Sequence, residues 1–295
     1  MIDMYPSRLT RRYVPVASPG IETHKKTERT LYALSWVLTI LILLTSLRGY
    51  MIPGFYDKET LQWFIQCYSQ DIANLFVAPF LLLTSLFAFR GNRSAHLLWG
   101  GALFYLIYTF LIYCFSVHFN LLFFFYCLNL GLSVFCFLGF LYTLTRKQVD
   151  YDPGGSKVFL ISGIYLVVIG VVFYVLWLSS VLPAVMNDYV PADLKDMGIT
   201  TNPVHVIDLS VCLPGLILTG ILLLCRHFMG IWIAPVMLVF CILMEFTIAL
   251  LNEVTNMQGI WTSDILTWIM GSIAVFTTGM LVIYMKELDA ETFLY

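Results

Sequence analysis

Residues 158–182 read VFLISGIYLVVIGVVFYVLWLSSVL, an apolar run with no charged side chain. A bilayer core about 30 Å thick is crossed by about 20 helical residues, so this stretch is long enough to span and too greasy to sit in water. Within lipid the backbone must satisfy its own polar groups, which makes such a run a helix. Reading outward on the same criterion marks further spans near 31–48, 71–89, 95–115, 121–144, 204–225, 228–251 and 264–285. The sequence therefore predicts an all-α, polytopic transmembrane helix bundle of eight spans. Residues 1–30 are a basic tail, 31–285 the transmembrane domain and 286–295 a second short tail. The first span is short before Arg48, and the sixth carries His205 and Asp208, so its apolar part begins nearer Leu209. Residues 61–70 (LQWFIQCYSQ) are too short and polar to span; they either lengthen the second helix outward or lie along the interface.

Composition agrees. The chain is 60% hydrophobic and 12% charged, with mean hydropathy +0.85, whereas an ordinary soluble domain carries about 25% charged residues. Little chain is left for a soluble domain. No nucleic-acid module, phosphate loop or CxxC spacing is present. All seven cysteines except Cys67 lie inside apolar runs and read as small buried hydrophobes. The polar first 30 residues lack the apolar core of a cleaved signal peptide, so the first span is expected to act as a signal-anchor.

Charge sets the orientation. With the N-terminus inside, the cytoplasmic segments hold all of the 16 Lys and Arg except Arg48, Lys58 and Lys195. This positive-inside bias predicts a plasma-membrane protein with both termini cytoplasmic. Trp63, Trp177, Trp261 and Trp268 then fall near the outer interface and Trp36, Trp99 and Trp232 near the inner one, as in an aromatic belt. Spans two and six echo each other: Asp71, Pro79, Thr84 and Arg90 in one, Asp208, Pro214, Thr219 and Arg226 in the other, with the prolines 135 residues apart. This fits a 4+4 arrangement of parallel repeats.

Ionisable groups inside a span cost about 2.5–3.5 kcal/mol near the helix centre and mark functional positions. Glu245 is the clearest, with Asn252 seven residues on. Asp71 and Asn74, and likewise His205 and Asp208, are i,i+3 pairs that share a helix face. Asn129 lies deeper in span four, and Tyr105, Tyr108 and Thr109 form a mildly polar stripe on span three. His118 and Asn120 occupy the outer turn between spans three and four, while His96 and His227 are expected at the inner surface. Gly139, Gly271 and Gly279 are expected to let helices approach closely. Together these residues predict an extracytoplasmic-facing polar pocket over a greasy floor. Asp71, Asn74, Asn129, His205, Asp208, Glu245 and Asn252 are its candidate ligand-binding residues.

The segment Thr201-Asn-Pro-Val-His205-Val-Ile-Asp208-Leu, followed by Leu213-Pro214, resembles a stretch of an uncharacterised family of prokaryotic multi-pass membrane proteins, as does Asp71-Ile-Ala-Asn74-Leu. The resemblance implies an integral membrane location and no particular activity.

Three functions stay open. A binding protein for a small molecule, lipid headgroup or cation expects a closed floor without a converging catalytic set. A membrane-embedded enzyme at the outer leaflet expects Asp71, His205, Asp208 and Glu245 to meet within a few ångströms, and the same four are the ligands if a metal is held. A small-solute transporter expects a second vestibule or broken helices. No cofactor and no catalytic residue is assigned, and the one certain partner is the lipid bilayer.

Overall fold

The computed structural model describes residues 19–146, 156–260 and 262–292, with side chains at 26–144, 156–260 and 262–289. The Asp150–Gly155 loop, Lys147, Trp261 and the tail residues Arg8, Arg11 and Arg12 lie outside the described residues. Ten helices follow one another: α1 (Pro19–Met51), α2 (Leu61–Phe89), α3 (Arg93–Ser116), α4 (Phe123–Arg146), α5 (Lys157–Met186), the short α6 (Ala192–Met197), α7 (Pro203–Ile207), α8 (Leu213–Leu224), α9 (Phe228–Met257) and α10 (Asp264–Thr292). A π-helical turn, Asp208–Cys212, joins α7 to α8. Among the described residues there is no strand. Among the described residues eight helices, counting Pro203–Leu224 as one, are long and apolar enough to cross a membrane. The chain is thus a multi-pass helical bundle suited to a lipid environment.

Several helices outrun their apolar cores. α2 begins at Leu61, so residues 61–70 lengthen the second helix, capped by the Thr60 side chain. α9 continues to Met257, six residues past its apolar run. Asn252 holds this extension to α10, its Nδ2 donating to the Ser263 carbonyl at 3.1 Å and to Thr267 Oγ1 at 2.9 Å.

Short turns make neighbours antiparallel. Ser94 donates to Asp289 (3.0 Å) and Ser156 to Glu287 (2.8 Å), so α3 and α5 begin where α10 finishes. At the opposite end Thr60 donates to the Met197 carbonyl (3.1 Å), setting α6 beside the start of α2. These are called the Asp289 end and the α6 end.

The helices form two rings of four. In the first, α1 meets α2, α2 meets α3, α3 meets α4 and α4 meets α1; in the second, α5, α8, α9 and α10 meet in the same cyclic order. The rings join through α3 against α9, flanked by α2 on α9 and by α7 on α3. Exchanging the halves maps this pattern onto itself. Local details repeat at the 135-residue offset: α2 ends at Phe89 and α8 at Leu224, while α3 starts at Arg93 and α9 at Phe228. The intervening turns place Gly91 at φ 92° and Arg226 at φ 56°. The N-caps Asn92 and His227 each accept a backbone N–H, from Ala95 and Met229. Across the joint, a Cβ on Gly101 would lie 2.9 Å from the carbonyl oxygen of Val236, its own counterpart, and 2.5 Å from Val239 Cβ. Equivalent residues touch each other on a two-fold axis, so the pseudo-axis runs near this contact.

Close approach is carried by different glycines from those expected. Gly139 does admit Leu31, but a Cβ on Gly271 or Gly279 would meet nothing within 4 Å. Gly163 and Gly220 instead bring α5 and α8 together, a Cβ on Gly220 falling 2.7 Å from the Gly163 carbonyl oxygen. His96 is a second correction. It is buried, not superficial, accepting from or donating to Tyr32 Oη (2.8 Å) and Thr143 Oγ1 (3.3 Å), and so ties α1, α3 and α4 together.

Candidate functional site

A cavity of about 510 Å³ lies between the two halves on the α6 side of the Gly101 contact. Its size falls within the usual range for small-molecule pockets, about 300–1,000 Å³. α2 contributes Trp63 and Gln70, α3 contributes Tyr108, Thr109 and Tyr113, and α5 contributes Phe173 and Trp177. α6 and α7 add Asp193, Met197 and His205; the π-turn adds Asp208; α9 adds Phe240, Cys241, Met244, Glu245 and Thr247. Toward the Asp289 end, Leu81, Leu103, Ile231 and Ala234 are fully buried and form an apolar core.

The second half supplies the acids. Glu245 is 5% exposed. Its Oε1 accepts from Tyr165 Oη (3.0 Å) and Thr277 Oγ1 (3.3 Å), while Oε2 is buried without a hydrogen-bond partner in the chain. Asp208 Oδ2 accepts from the Trp177 indole N–H at 2.8 Å. The other face of that arrangement is His205, whose ring lies 4.5 Å from the Trp177 ring, centroid to centroid. His205 therefore reaches Asp208 through Trp177 and not directly.

The first half seals its acid. Asp71 is 1% exposed and does not line the cavity. Tyr56 Oη donates to Oδ2 at 2.7 Å and Tyr113 Oη to Oδ1 at 2.8 Å. Gly49 backs the carboxylate: any Cβ there would overlap Oδ2. Asn74 sits one layer behind the wall, its Oδ1 accepting from Gln70 Nε2 (3.0 Å). Gln70 also donates to Tyr105 Oη (2.9 Å), which pairs with Thr247 Oγ1 (2.6 Å), so a polar chain bridges α2, α3 and α9.

The expected constellation is thus divided. His205, Asp208 and Glu245 line one cavity. Asp71 and Asn74 lie outside it, saturated or one layer back. Asn129 is buried between α4 and α1, its Nδ2 donating to Thr45 Oγ1 at 3.4 Å, and Asn252 fastens the α9–α10 hairpin. His118 is engaged by Glu59, both through its ring (2.7 Å) and through its backbone N–H (2.7 Å). The four proposed metal ligands do not assemble: among the described residues no group of three or more His, Cys, Asp and Glu side chains converges to hold an ion.

The π-turn also changes how the halves correspond. An i→i+5 turn takes up one residue more than an α-turn. Above Pro214 the offset therefore becomes 134, which sets Asp71 opposite His205 and Asn74 opposite Asp208. The sequence echo had matched acid with acid; the structure matches one polar pair with another.

Two tryptophans assigned to an interfacial belt belong to the site instead. Trp63 is 2% exposed and Trp177 holds Asp208; Trp99 is buried as well, donating to Ser35 Oγ at 2.9 Å. Trp268, 75% exposed, fits the belt. Four residues that line the cavity each carry one buried polar atom without a hydrogen-bond partner in the chain: Trp63 Nε1, Tyr108 Oη, Thr109 Oγ1 and Glu245 Oε2. Tyr108 lies beside Asp208 without reaching it in hydrogen-bonding geometry.

No family model, no curated protein and no solved structure matches the chain.

Proposed function

We propose that the chain is a membrane-embedded binding protein that takes a small molecule into the cavity between its two halves. The carrying observation is that cavity-lining residues hold polar atoms without a partner in the chain: three donors, from Trp63, Tyr108 and Thr109, and one acceptor, from Glu245. A buried polar group left unpaired costs about 1–3 kcal/mol. Departures from polar satisfaction are expected at functional sites. The apolar core beneath the cavity gives it a floor.

The Lys and Arg distribution supports an orientation with both termini cytoplasmic, which points the α6 end and the cavity mouth to the extracytoplasmic side of a prokaryotic plasma membrane. Phosphatase fused after Asp188 is then active and after Arg226 inactive; the reverse pattern overturns the orientation.

The functional test is thermal unfolding of purified protein in lipid nanodiscs against a broad set of neutral, cationic and anionic small molecules. The expected result is that some compounds raise the Tm of the wild type but not of Met244→Trp, which fills the cavity. If no compound separates the two proteins, the binding reading fails.

A second reading, transport, draws on the repeated neighbour order of the two rings, since binding between parallel repeats is a transporter arrangement. Uptake of a bound compound into sealed vesicles supports it, and binding without uptake excludes it. The enzyme reading loses its main support, because Asp71 is held apart from His205, Asp208 and Glu245.

A further inference from the structure

Charge on the cavity wall is one-sided. Asp208 and Glu245 stand on it, Asp193 stands at its α6 rim, and among the described residues no lysine or arginine lines it. His205 is the only ionisable nitrogen there among the described residues, and its ring packs on Trp177 at a tilt of 49°. A buried carboxylate without a cation or a full set of donors is costly. Glu245 offers one oxygen with no donor at all.

Most of the remaining wall is aromatic and aliphatic, with Trp63, Tyr108, Phe173 and Phe240 among rings and Met244 and Leu216 among aliphatic side chains; uncharged polar groups such as Gln70, Thr109 and Thr247 interrupt it. Aromatic faces attract cations through the ring quadrupole, most strongly when water is excluded, and recognition of quaternary ammonium groups by aromatic cages is the familiar use. An inorganic ion suits this wall poorly. A hard divalent cation takes six or more oxygen ligands or a small set of convergent side chains, and no such group converges among the described residues. The volume, about 510 Å³, is far larger than a bare ion needs and leaves room for an apolar body beside a charged head.

We infer that the ligand of this cavity is a lipophilic organic cation, an amine or quaternary ammonium whose charge lies against Glu245 and Asp208 and whose apolar body lies against the aromatic wall. This rests on the binding reading above and names its ligand class. The acids supply the counter-charge, and the tryptophan and tyrosine rings supply the desolvated lining.

The test compares three probes that share one apolar body and differ in head group: phenylbutyl-trimethylammonium, phenylbutanol and phenylbutyrate. Binding to the wild-type protein in nanodiscs of uncharged lipid is read from quenching of tryptophan fluorescence, since Trp63 and Trp177 line the cavity, and from the shift in Tm. The ammonium is expected to bind at least about tenfold more tightly than the alcohol, with the carboxylate weakest. Glu245→Gln is expected to shrink the ammonium's preference over the alcohol severalfold, and an undiminished preference overturns the placing of the charge against Glu245. Should that variant not fold, head-group preference in the wild type decides alone. Equal binding of alcohol and ammonium, or preference for the carboxylate, overturns the cation inference and leaves the binding reading standing. No binding by any of the three also overturns it, and the broad compound set judges the cavity independently.

Discussion

The two halves use the same ring of helices to opposite ends. In the first, Asp71 is enclosed by Tyr56, Tyr113 and Gly49, and both its oxygens are spoken for. In the second, Asp208 keeps one tryptophan donor, and Glu245, which lines the cavity, keeps an unpartnered oxygen. A sealed carboxylate serves as a structural clasp, tying α2 to the 52–60 turn and to α3. An open one is a site. The difference lies in donors: the first half brings two tyrosine hydroxyls to its acid, and the second leaves part of that task undone.

The comparison can be broken most severely at the joint. Gly101→Leu forces a side chain into Val239 and the Val236 carbonyl. A loss of about 3 kcal/mol is expected, in the upper range for overpacking, seen as a large fall in Tm and in yield of folded protein. Next comes the clasp itself. Asp71→Ala strands the hydroxyls of Tyr56 and Tyr113, at about 1–3 kcal/mol for each buried unpaired group, and denaturation in detergent should show it. Glu245→Gln, by contrast, keeps an oxygen for Tyr165 and Thr277 and is expected to cost about 1 kcal/mol, the low end for one buried group short of partners, while altering ligand binding. Equal destabilisation by these two substitutions would erase the distinction between clasp and site. Trp177→Phe removes the donor to Asp208 and costs about 1 kcal/mol, with His205 losing little because an aromatic ring still packs against it. The smallest effect belongs to Gly271→Ala. It meets no neighbouring atom, so a gain of about 0.5 kcal/mol from helix propensity is expected, a contrast with Gly101 measured in the same assay.

The spans were legible because their signal is simple: each is a long apolar run bounded by charge, as at Lys157 or Arg226. Which side of a helix faces inward was far less so. Lipid is as apolar as the protein's own core, so Leu81, fully buried, and Leu83, exposed, look alike in sequence. The tryptophans show the same blindness. Trp63 and Trp268 both lie near span ends, yet one is enclosed and the other faces outward, a matter of rotation about the helix axis. Ionisable residues did announce themselves, since burial of Asp208 and Glu245 is costly enough to be selective. What sealed Asp71 did not, because Tyr56 comes from a turn and Tyr113 from another helix. The π-turn at Asp208–Cys212 left no composition signal either, and it alters the register of the two halves by one position.

The contact between Gly101 and Val236 has a mechanical meaning. It lies about 12 Å along α3 from its first residue at 1.5 Å per residue, whereas Thr109 to Tyr113 on the same helix lie about 12–18 Å beyond it. A rocking of one half on the other that preserves this tight backbone contact has its fulcrum there. Displacement grows with the length of the lever, so the residues at the fulcrum slide least and the walls at the α6 end swing apart most. The cavity occupies the long arm.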